Sequence, residues 1–305
     1  MRHDAVAIGT FDGVHVGHQS LLAAAQRSAR SAGGRAIAYA FDVPPRAQTG
    51  QEDARLLLDP AMKRAILGGW VDRIVEASFP AVRDVSAESF VRDVLRRDLQ
   101  ARSVVVGASF RFGKDRSGDV ATLVDLALDV DIDVVIVPPV LRDGVAVSST
   151  RIRDLLLAGS VPEAASLLGR APALRGAVVS GDAVGRTLGF PTANLALDPR
   201  VLLPLHGVYV AAAFVGGRRY PAMCYVGRRP TLAGTAVRCE VHLLESPTAE
   251  LRGLVLETHV YRLLRPDRAF ASLAQLQAQM EDDRRAALAA SDACLEAMDP
   301  LPFGG

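Results

Sequence analysis

Between Gly9 and His18 the chain reads Gly-Thr-Phe-Asp-Gly-Val-His-Val-Gly-His, at the point where an apolar strand pattern gives way to a helical one. Glycine at such a junction lets backbone approach a ligand, and the first turn of a helix offers N–H groups to a phosphate. His15 and His18, three apart across a glycine, can both reach one anionic group there. A pair so placed stabilises charge that builds on a phosphate under attack. A lone histidine at a turn is ordinarily a cap or solvated. Zinc would need a Cys, Asp or Glu set at a familiar spacing, and none completes it. A later run, Val147-Ser148-Ser149-Thr150-Arg151-Ile152-Arg153, puts hydroxyls and guanidinium groups at a predicted helix start. Arginine presents forked donors to phosphate oxygens, although Ser-Ser-Thr alone is more often a cap.

The second half has a glycine-rich segment of its own, Gly181-Asp182-Ala183-Val184-Gly185-Arg186-Thr187-Leu188-Gly189-Phe190-Pro191-Thr192-Ala193-Asn194. A turn of this composition ending in arginine can wrap phosphates. Thr192 and Asn194 offer neutral oxygens two residues apart, which suits magnesium completed by water and ATP phosphates. Glu240, in Glu-Val-His-Leu-Leu, is a carboxylate on an alternating strand, where it can accept the proton of a hydroxyl that attacks a phosphate. His242 shares that face if the strand is regular. Lysine decides what kind of kinase is possible: only Lys63 and Lys114 exist, both in the first half. A P-loop kinase and a protein kinase with a strand lysine are therefore excluded.

These residues must be held by two domains, since 305 residues exceed what one core usually supports. The first half alternates strands (Ala5 to Gly9, Arg35 to Phe41, Arg73 to Ala77, Ser103 to Val106, Asp133 to Val137) with helices (Ser20 to Ser31 and Ala87 to Leu99). That alternation predicts a Rossmann-like parallel sheet flanked by helices. Two short helices, Ser149 to Leu157 and Pro162 to Leu168, lead to Gly169-Arg170-Ala171-Pro172, which reads as a linker. Beyond it, Gly207 to Val215 and Arg219 to Val226 flank a Gly216-Gly217 turn, and strands follow over Val237 to Leu244 and Leu254 to Leu263. With a helix over Leu273 to Ala290, this predicts a small antiparallel β-barrel packed by a C-terminal helix. The expected domains are residues 1–168 and 173–305.

Composition narrows the partners. Half of the residues are hydrophobic and 23% are charged, as in a folded globular protein. A net charge of +1 carries no electrostatic footprint for nucleic acid or an anionic membrane. Cys224, Cys239 and Cys294 lack metal-ligand spacing, and an odd number without a secretory or membrane-spanning stretch predicts reduced thiols in the cytoplasm. Oligomeric state is not legible.

Phe11-Asp12-Gly13 followed by His15-Val16-Gly17-His18, and then the Ser148 to Arg153 run, resembles the nucleotidylyltransferase superfamily in the form used by prokaryotic FAD synthetases. The segment from Gly181 to Asn194, the Glu240 strand, Gly227-Arg228-Arg229-Pro230-Thr231 and the tail from Leu263-Leu264-Arg265-Pro266 through Phe270 are similar to the riboflavin kinase family. Together they resemble the prokaryotic bifunctional riboflavin kinase/FAD synthetases from Ala5 to about Asp283. The resemblance implies Mg-ATP-dependent phosphorylation of riboflavin to FMN, then adenylylation of FMN to FAD with ATP as substrate and Mg2+ as cofactor. Its implied catalytic residues are Glu240, His15, His18 and Arg153, with Arg151 in a variable slot. Nucleotide contacts would come from Gly9, Phe11, Asp12, Gly17, Ser148, Ser149, Thr150, Gly181, Gly185 and Arg186. Flavin contacts would come from Ser109, Phe110, Phe112, Phe190 and Pro191, and Thr192 and Asn194 would organise the metal.

Several positions depart from the family. Phe41-Asp42-Val43-Pro44-Pro45 has Pro44 where the family's Phe-Glu-Pro-His-Pro has its histidine, and Ser109 stands for Asn or Asp in Gly107 to Gly113. Tyr225 replaces a common Asn before Val226-Gly227, and the Glu245 to Gly253 loop lacks the usual Asp-Phe and Gly-Asp. Two alternatives follow: a riboflavin kinase whose first half is inactive or takes CTP or a flavin analogue, and, more distantly, a non-catalytic flavin-binding protein.

Overall fold

Asp4–Gly9 (β1) is the strand on which the first unit is built, and its Ala5, Val6 and Ala7 are wholly buried. Burial on both faces is what the centre of a parallel sheet requires. β1 pairs in parallel with Ala36–Phe41 (β2) and Ala101–Gly107 (β4); β2 pairs with Arg73–Ala77 (β3) and β4 with Asp133–Val137 (β5). The order is β3-β2-β1-β4-β5, so the direction of winding reverses between β1 and β4. In open α/β sheets a crevice opens at that reversal, beyond the carboxyl ends of the strands. The buried Asp4 carboxylate fixes the lower end of β1 by accepting from the Arg35 guanidinium at 2.6 Å and the Arg35 amide at 2.9 Å.

This computed structural model describes residues 3–42, 55–181, 184–231, 234–245 and 250–297. The chain divides into two compact units, residues 1–149 apart from 57–59, and residues 57–59 with 150–305. In the first, helices Val16–Ser31 (α1), Pro60–Gly68 (α2), Phe79–Val82 (α3), Ala87–Ser89 (α4) and Val120–Leu128 (α5) accompany the sheet, with a small hairpin of Leu141–Arg142 (β6) and Val145–Ala146 (β7). Two sequence expectations change here. α1 begins four residues before the expected Ser20, and the helix expected over Ala87 to Leu99 continues from α4 as a wider π turn over Phe90–Asp98. Phe90, Val91, Leu95 and Leu99 still enter the core.

Helix Ser149–Leu157 (α6) leads from Thr150 onward into the second unit, followed by Val161–Leu168 (α7), which ends on Gly169 at φ 71°. The following segment was expected to be a linker, yet Arg170 is buried and donates to the Leu168 carbonyl. Burial draws its guanidinium down to about 10. Six strands then close into a barrel in the order β10-β11-β12-β9-β8-β13. They are Ala173–Val179 (β8), Ala193–Leu197 (β9), Gly207–Val215 (β10), Arg218–Thr231 (β11), Gly234–Leu243 (β12) and Val255–Pro266 (β13), with a short helix Val184–Thr187 (α8) between the first two. Gly216 and Gly217 turn the β10-β11 hairpin at φ 54° and 77°, values that a side chain would strain. The interior is filled by Tyr209 and by small residues such as Ala211, Ala213, Ala222 and Cys224, which let so few strands close. Helix Leu273–Ala297 (α9) packs on the outside through Ala287, beside Val208, Met223 and Leu244. The parallel α/β half and the helix-packed barrel are thus the architecture expected from the sequence.

Candidate active sites

At the carboxyl end of β1 the chain turns through Phe11, Gly13 and Val14 at φ 51°, 80° and 39°. A β-branched residue at positive φ is strained by about 1 to 3 kcal/mol and persists only when its surroundings hold it. Here the Val14 amide donates to the Phe11 carbonyl at 3.1 Å, and the Gln19 amide side chain donates to the Val14 carbonyl at 2.9 Å. Gly9 makes the fold-back possible, because a Cβ there would stand 3.2 Å from the Phe11 ring. The turn delivers His15 to the mouth of α1, where its Nδ1 accepts the His18 amide at 3.3 Å and caps the helix. The two imidazoles stack, with centroids 3.7 Å apart and planes 16° from parallel, and the Phe11 ring meets His18 edge-on at 5.4 Å. Gly17 leaves room for this arrangement, since a Cβ there would press to 3.1 Å from the His15 ring.

Asp12 is buried, and its carbonyl accepts from the Ser149 hydroxyl at 2.9 Å. The two sequence motifs, 137 residues apart, therefore meet at the turn. Ser149 opens α6, on which Thr150, Arg151 and Arg153 follow, the two arginines half-buried. Sequence reasoning missed Lys63. From α2 its ammonium donates to the Phe41 carbonyl at 2.7 Å, at the end of β2. Burial draws it below the usual lysine range, against the opposing charges of Asp12, Glu76 and Asp42. Beyond β4, Ser109 is exposed and Phe110 stacks at 5.6 Å on Phe112, which is itself buried in the core. Pro44 lies outside the described residues.

The barrel's site follows from strand register. Glu240 on β12 lies opposite Asn194 on β9, and Thr192, two residues before, donates its hydroxyl to the Glu240 carboxylate at 3.3 Å. The Arg238 guanidinium stands 3.6 Å from the same carboxylate. Gly181 keeps the space that Asn194 uses: a Cβ there would fall 2.1 Å from the Asn194 amide nitrogen. Gly185 accepts the Phe190 amide at 2.7 Å and closes the turn before Thr192. Asp182, Ala183 and the Arg186 side chain lie outside what is described.

Glu240, Thr192 and Gly185 face a cavity of about 280 Å³. Phe190, expected to contact ligand, is instead 1% exposed and packs with Val208, Met223 and Leu244. Pro191 is exposed, and its carbonyl accepts a hydrogen bond from His242 Nδ1 at 2.9 Å. His242 does share the Glu240 face, as alternation predicts, and both reach the cavity. The opposite wall was missed: Arg265, Asp267, Phe270, Met280 and Asp283, from the end of β13 and from α9. Arg265 is clamped to Asp283 at 2.8 Å and lies 5.5 Å over the Phe270 ring. The sequence signal was available in Leu-Leu-Arg-Pro, where an arginine interrupts an apolar strand.

As to chemistry, the first site offers stacked imidazoles and a helix N-terminus at a sheet's winding reversal, which suits an anion. The second offers hydroxyl, amide and carboxylate oxygens, the hard donors that Mg2+ selects, and the Gly181 cradle preserves that donor set. Thr192 and Asn194 therefore fit the metal, with the Glu240 carboxylate beside them.

Residues 1–151 match the FAD synthetase family and residues 168–291 the riboflavin kinase family. The bifunctional riboflavin kinase/FMN adenylyltransferase of Escherichia coli K12 is 34% identical over 282 residues, covering 91% of this chain and 90% of that protein. The protein of the same description from Pseudomonas fluorescens is 36% identical over 285 residues, covering 92% and 91%. Among solved structures, one described as a macrolide-efflux protein from Streptococcus pneumoniae superposes with a TM-score of 0.85 at 32% identity, covering 94% and 95% of the two chains. No helix among the described residues of this chain is long and apolar enough to cross a membrane.

Proposed function

The chain belongs to the prokaryotic bifunctional riboflavin kinase/FMN adenylyltransferase family, and from that premise we propose that it converts riboflavin to FMN and FMN to FAD, using ATP twice. It is a transferase. The functional halves proposed are residues 1–168, with the Ser148 to Arg153 run in the transferase, and residues 173–305. Free buried thiols at Cys224 and Cys239 favour a cytoplasmic setting.

The observation that carries the kinase reading is the Glu240 carboxylate on the cavity wall, hydrogen-bonded to Thr192 and opposite Asn194. Glu240 is the proposed base. It takes the proton of riboflavin's terminal ribityl hydroxyl as that oxygen attacks the γ-phosphorus of ATP, and ADP leaves. Thr192 and Asn194 hold Mg2+, which neutralises phosphate charge when bound. The Gly181 to Gly185 turn and Arg186 receive the nucleotide, and Phe190 supports the flavin side from within the core, with Pro191 at the surface.

In the first half, an FMN phosphate oxygen attacks the α-phosphorus of a second ATP, and pyrophosphate leaves. His15 and His18 face the developing charge, and Arg153 holds phosphate oxygens. Gly9, Phe11, Asp12 and Gly17 shape the nucleotide turn, Ser148, Ser149 and Thr150 hold the triphosphate, and Ser109, Phe110 and Phe112 receive the flavin ring. Ser109, exposed where the family carries Asn or Asp, favours a second reading in which this half takes another nucleotide or flavin analogue. Incubation with riboflavin and Mg2+ plus ATP, CTP or GTP, followed by chromatography of the flavins, tests both. FMN and FAD from ATP alone is the expected outcome. Absence of FMN refutes the kinase, and FMN without FAD in every arm refutes the transferase.

A further inference from the structure

Tyr225 is the cross-strand partner of Glu240, which in turn is the partner of Asn194, so the three occupy one rung across β11, β12 and β9. Directly opposed residues on neighbouring antiparallel strands project to the same face. Tyr225 accordingly lines the cavity beside Glu240. Its ring lies along its own strand over Gly227, where an added Cβ would stand 2.0 Å from the phenol oxygen. Its hydroxyl donates to Asp267 Oδ2 at 3.2 Å. The one phenolic proton is thereby committed to Asp267, and the oxygen's lone pairs remain to accept. Burial, then the charges of Asp267 and Glu240, push the phenol up to about 12, so the O–H is retained at neutral pH.

The apolar part of the wall, Leu188, Met223, Phe270, Leu276 and Met280, suits a flat ring system. A phenol oxygen one strand from the proposed base then faces whatever chain hangs from that ring. We infer that Tyr225 is a specificity-determining residue whose hydroxyl accepts a hydrogen bond from the hydroxylated side chain of the flavin and so steers its terminal hydroxyl to Glu240. The inference rests on the kinase reading above. It concerns this chain in particular, because the resembling family commonly carries asparagine at this position.

The test compares riboflavin with lumiflavin, which has the same ring and a methyl group in place of the polyol, by quenching of flavin fluorescence. Tyr225→Phe should weaken riboflavin binding about five- to tenfold, the worth of one neutral hydrogen bond, and leave lumiflavin binding as it was. In turnover, KM for riboflavin should rise by the same factor while KM for ATP moves less than about twofold. A Tyr225→Asn variant, whose amide can accept a hydrogen bond, should recover part of the preference for riboflavin. Equal weakening of both flavins, or of neither, overturns the inference while the kinase reading stands. A parent protein that neither binds nor phosphorylates riboflavin sinks both.

Discussion

The first unit makes its site from a turn, and the second makes its site from a rung. At the carboxyl end of β1 the geometry depends on three departures from ordinary backbone within four residues, Phe11, Gly13 and Val14 at positive φ with Gly9 beneath them, and on the Ser149 hydroxyl arriving from far along the chain. In the barrel, Tyr225, Glu240 and Asn194 are aligned by ordinary antiparallel pairing, and the special demand is space at Gly181, Gly185 and Gly227. The contrast is one of what holds the chemistry in place. A turn tolerates changes that keep its backbone, whereas a rung tolerates changes that keep its register.

The sharpest way to break this comparison is Glu240→Gln, which keeps the shape of the rung and removes the proposed base. FMN formation should fall about 10²- to 10⁴-fold, and FAD formation from supplied FMN measures the other site independently. Loss of both together would show that the two sites do not act separately. Next in size is His18→Ala, expected to lower adenylylation of supplied FMN about 10²- to 10³-fold. His15→Ala should match it and also remove the α1 cap, costing about 1 kcal/mol of stability. Trp70, the single tryptophan, belongs to the first unit, so its fluorescence during denaturation reads that loss directly.

Gly181→Ala comes third. The new Cβ drives the Asn194 amide aside, a repacking cost that should lower phosphorylation about ten- to a hundredfold with the barrel still folded. Activity close to the parent's would mean that Asn194 holds nothing. The smallest effect concerns pH. Burial, with Arg284 acting in the same direction, holds His242 below its ordinary value of 6.5, against its bond to Pro191 and the charge of Glu281. Above about 6.5 it is neutral folded or unfolded and this contribution to stability is complete. As pH falls below that value the unfolded chain takes up the proton first, so the barrel loses stability until the depressed folded value is passed. Far-UV and near-UV melting between pH 7.5 and 5.5 should show that slope, and His242→Gln should flatten it.

Much of this was legible in the residues, and the reasons are local. The Gly216-Gly217 hairpin, the five parallel strands and the Glu240 and His242 face all follow from periodicity and turn chemistry. Helices α2 and α5 went unseen because each has only nine residues, with two or three buried positions to mark a period. The early start of α1 was hidden because histidine is not a usual cap. Phe190 reads as a ligand contact in its motif, yet the fold spends it on the core beneath α9. The Tyr225 link to Asp267 joins residues 42 apart and needed coordinates to be seen. The Arg265 clamp to Asp283 likewise depends on where α9 docks against the barrel.

Ring closure has a consequence for biogenesis. β8 pairs with β9 along one edge, but its other edge meets β13, through Val255 to His259, so the circle is incomplete until that late segment has left the ribosome. Before then β8 and β10 would each present an unpaired edge, and the wall supplied by α9 would be missing altogether. A nascent chain arrested before α9 would carry every residue of the rung and still have no chamber in which to use it.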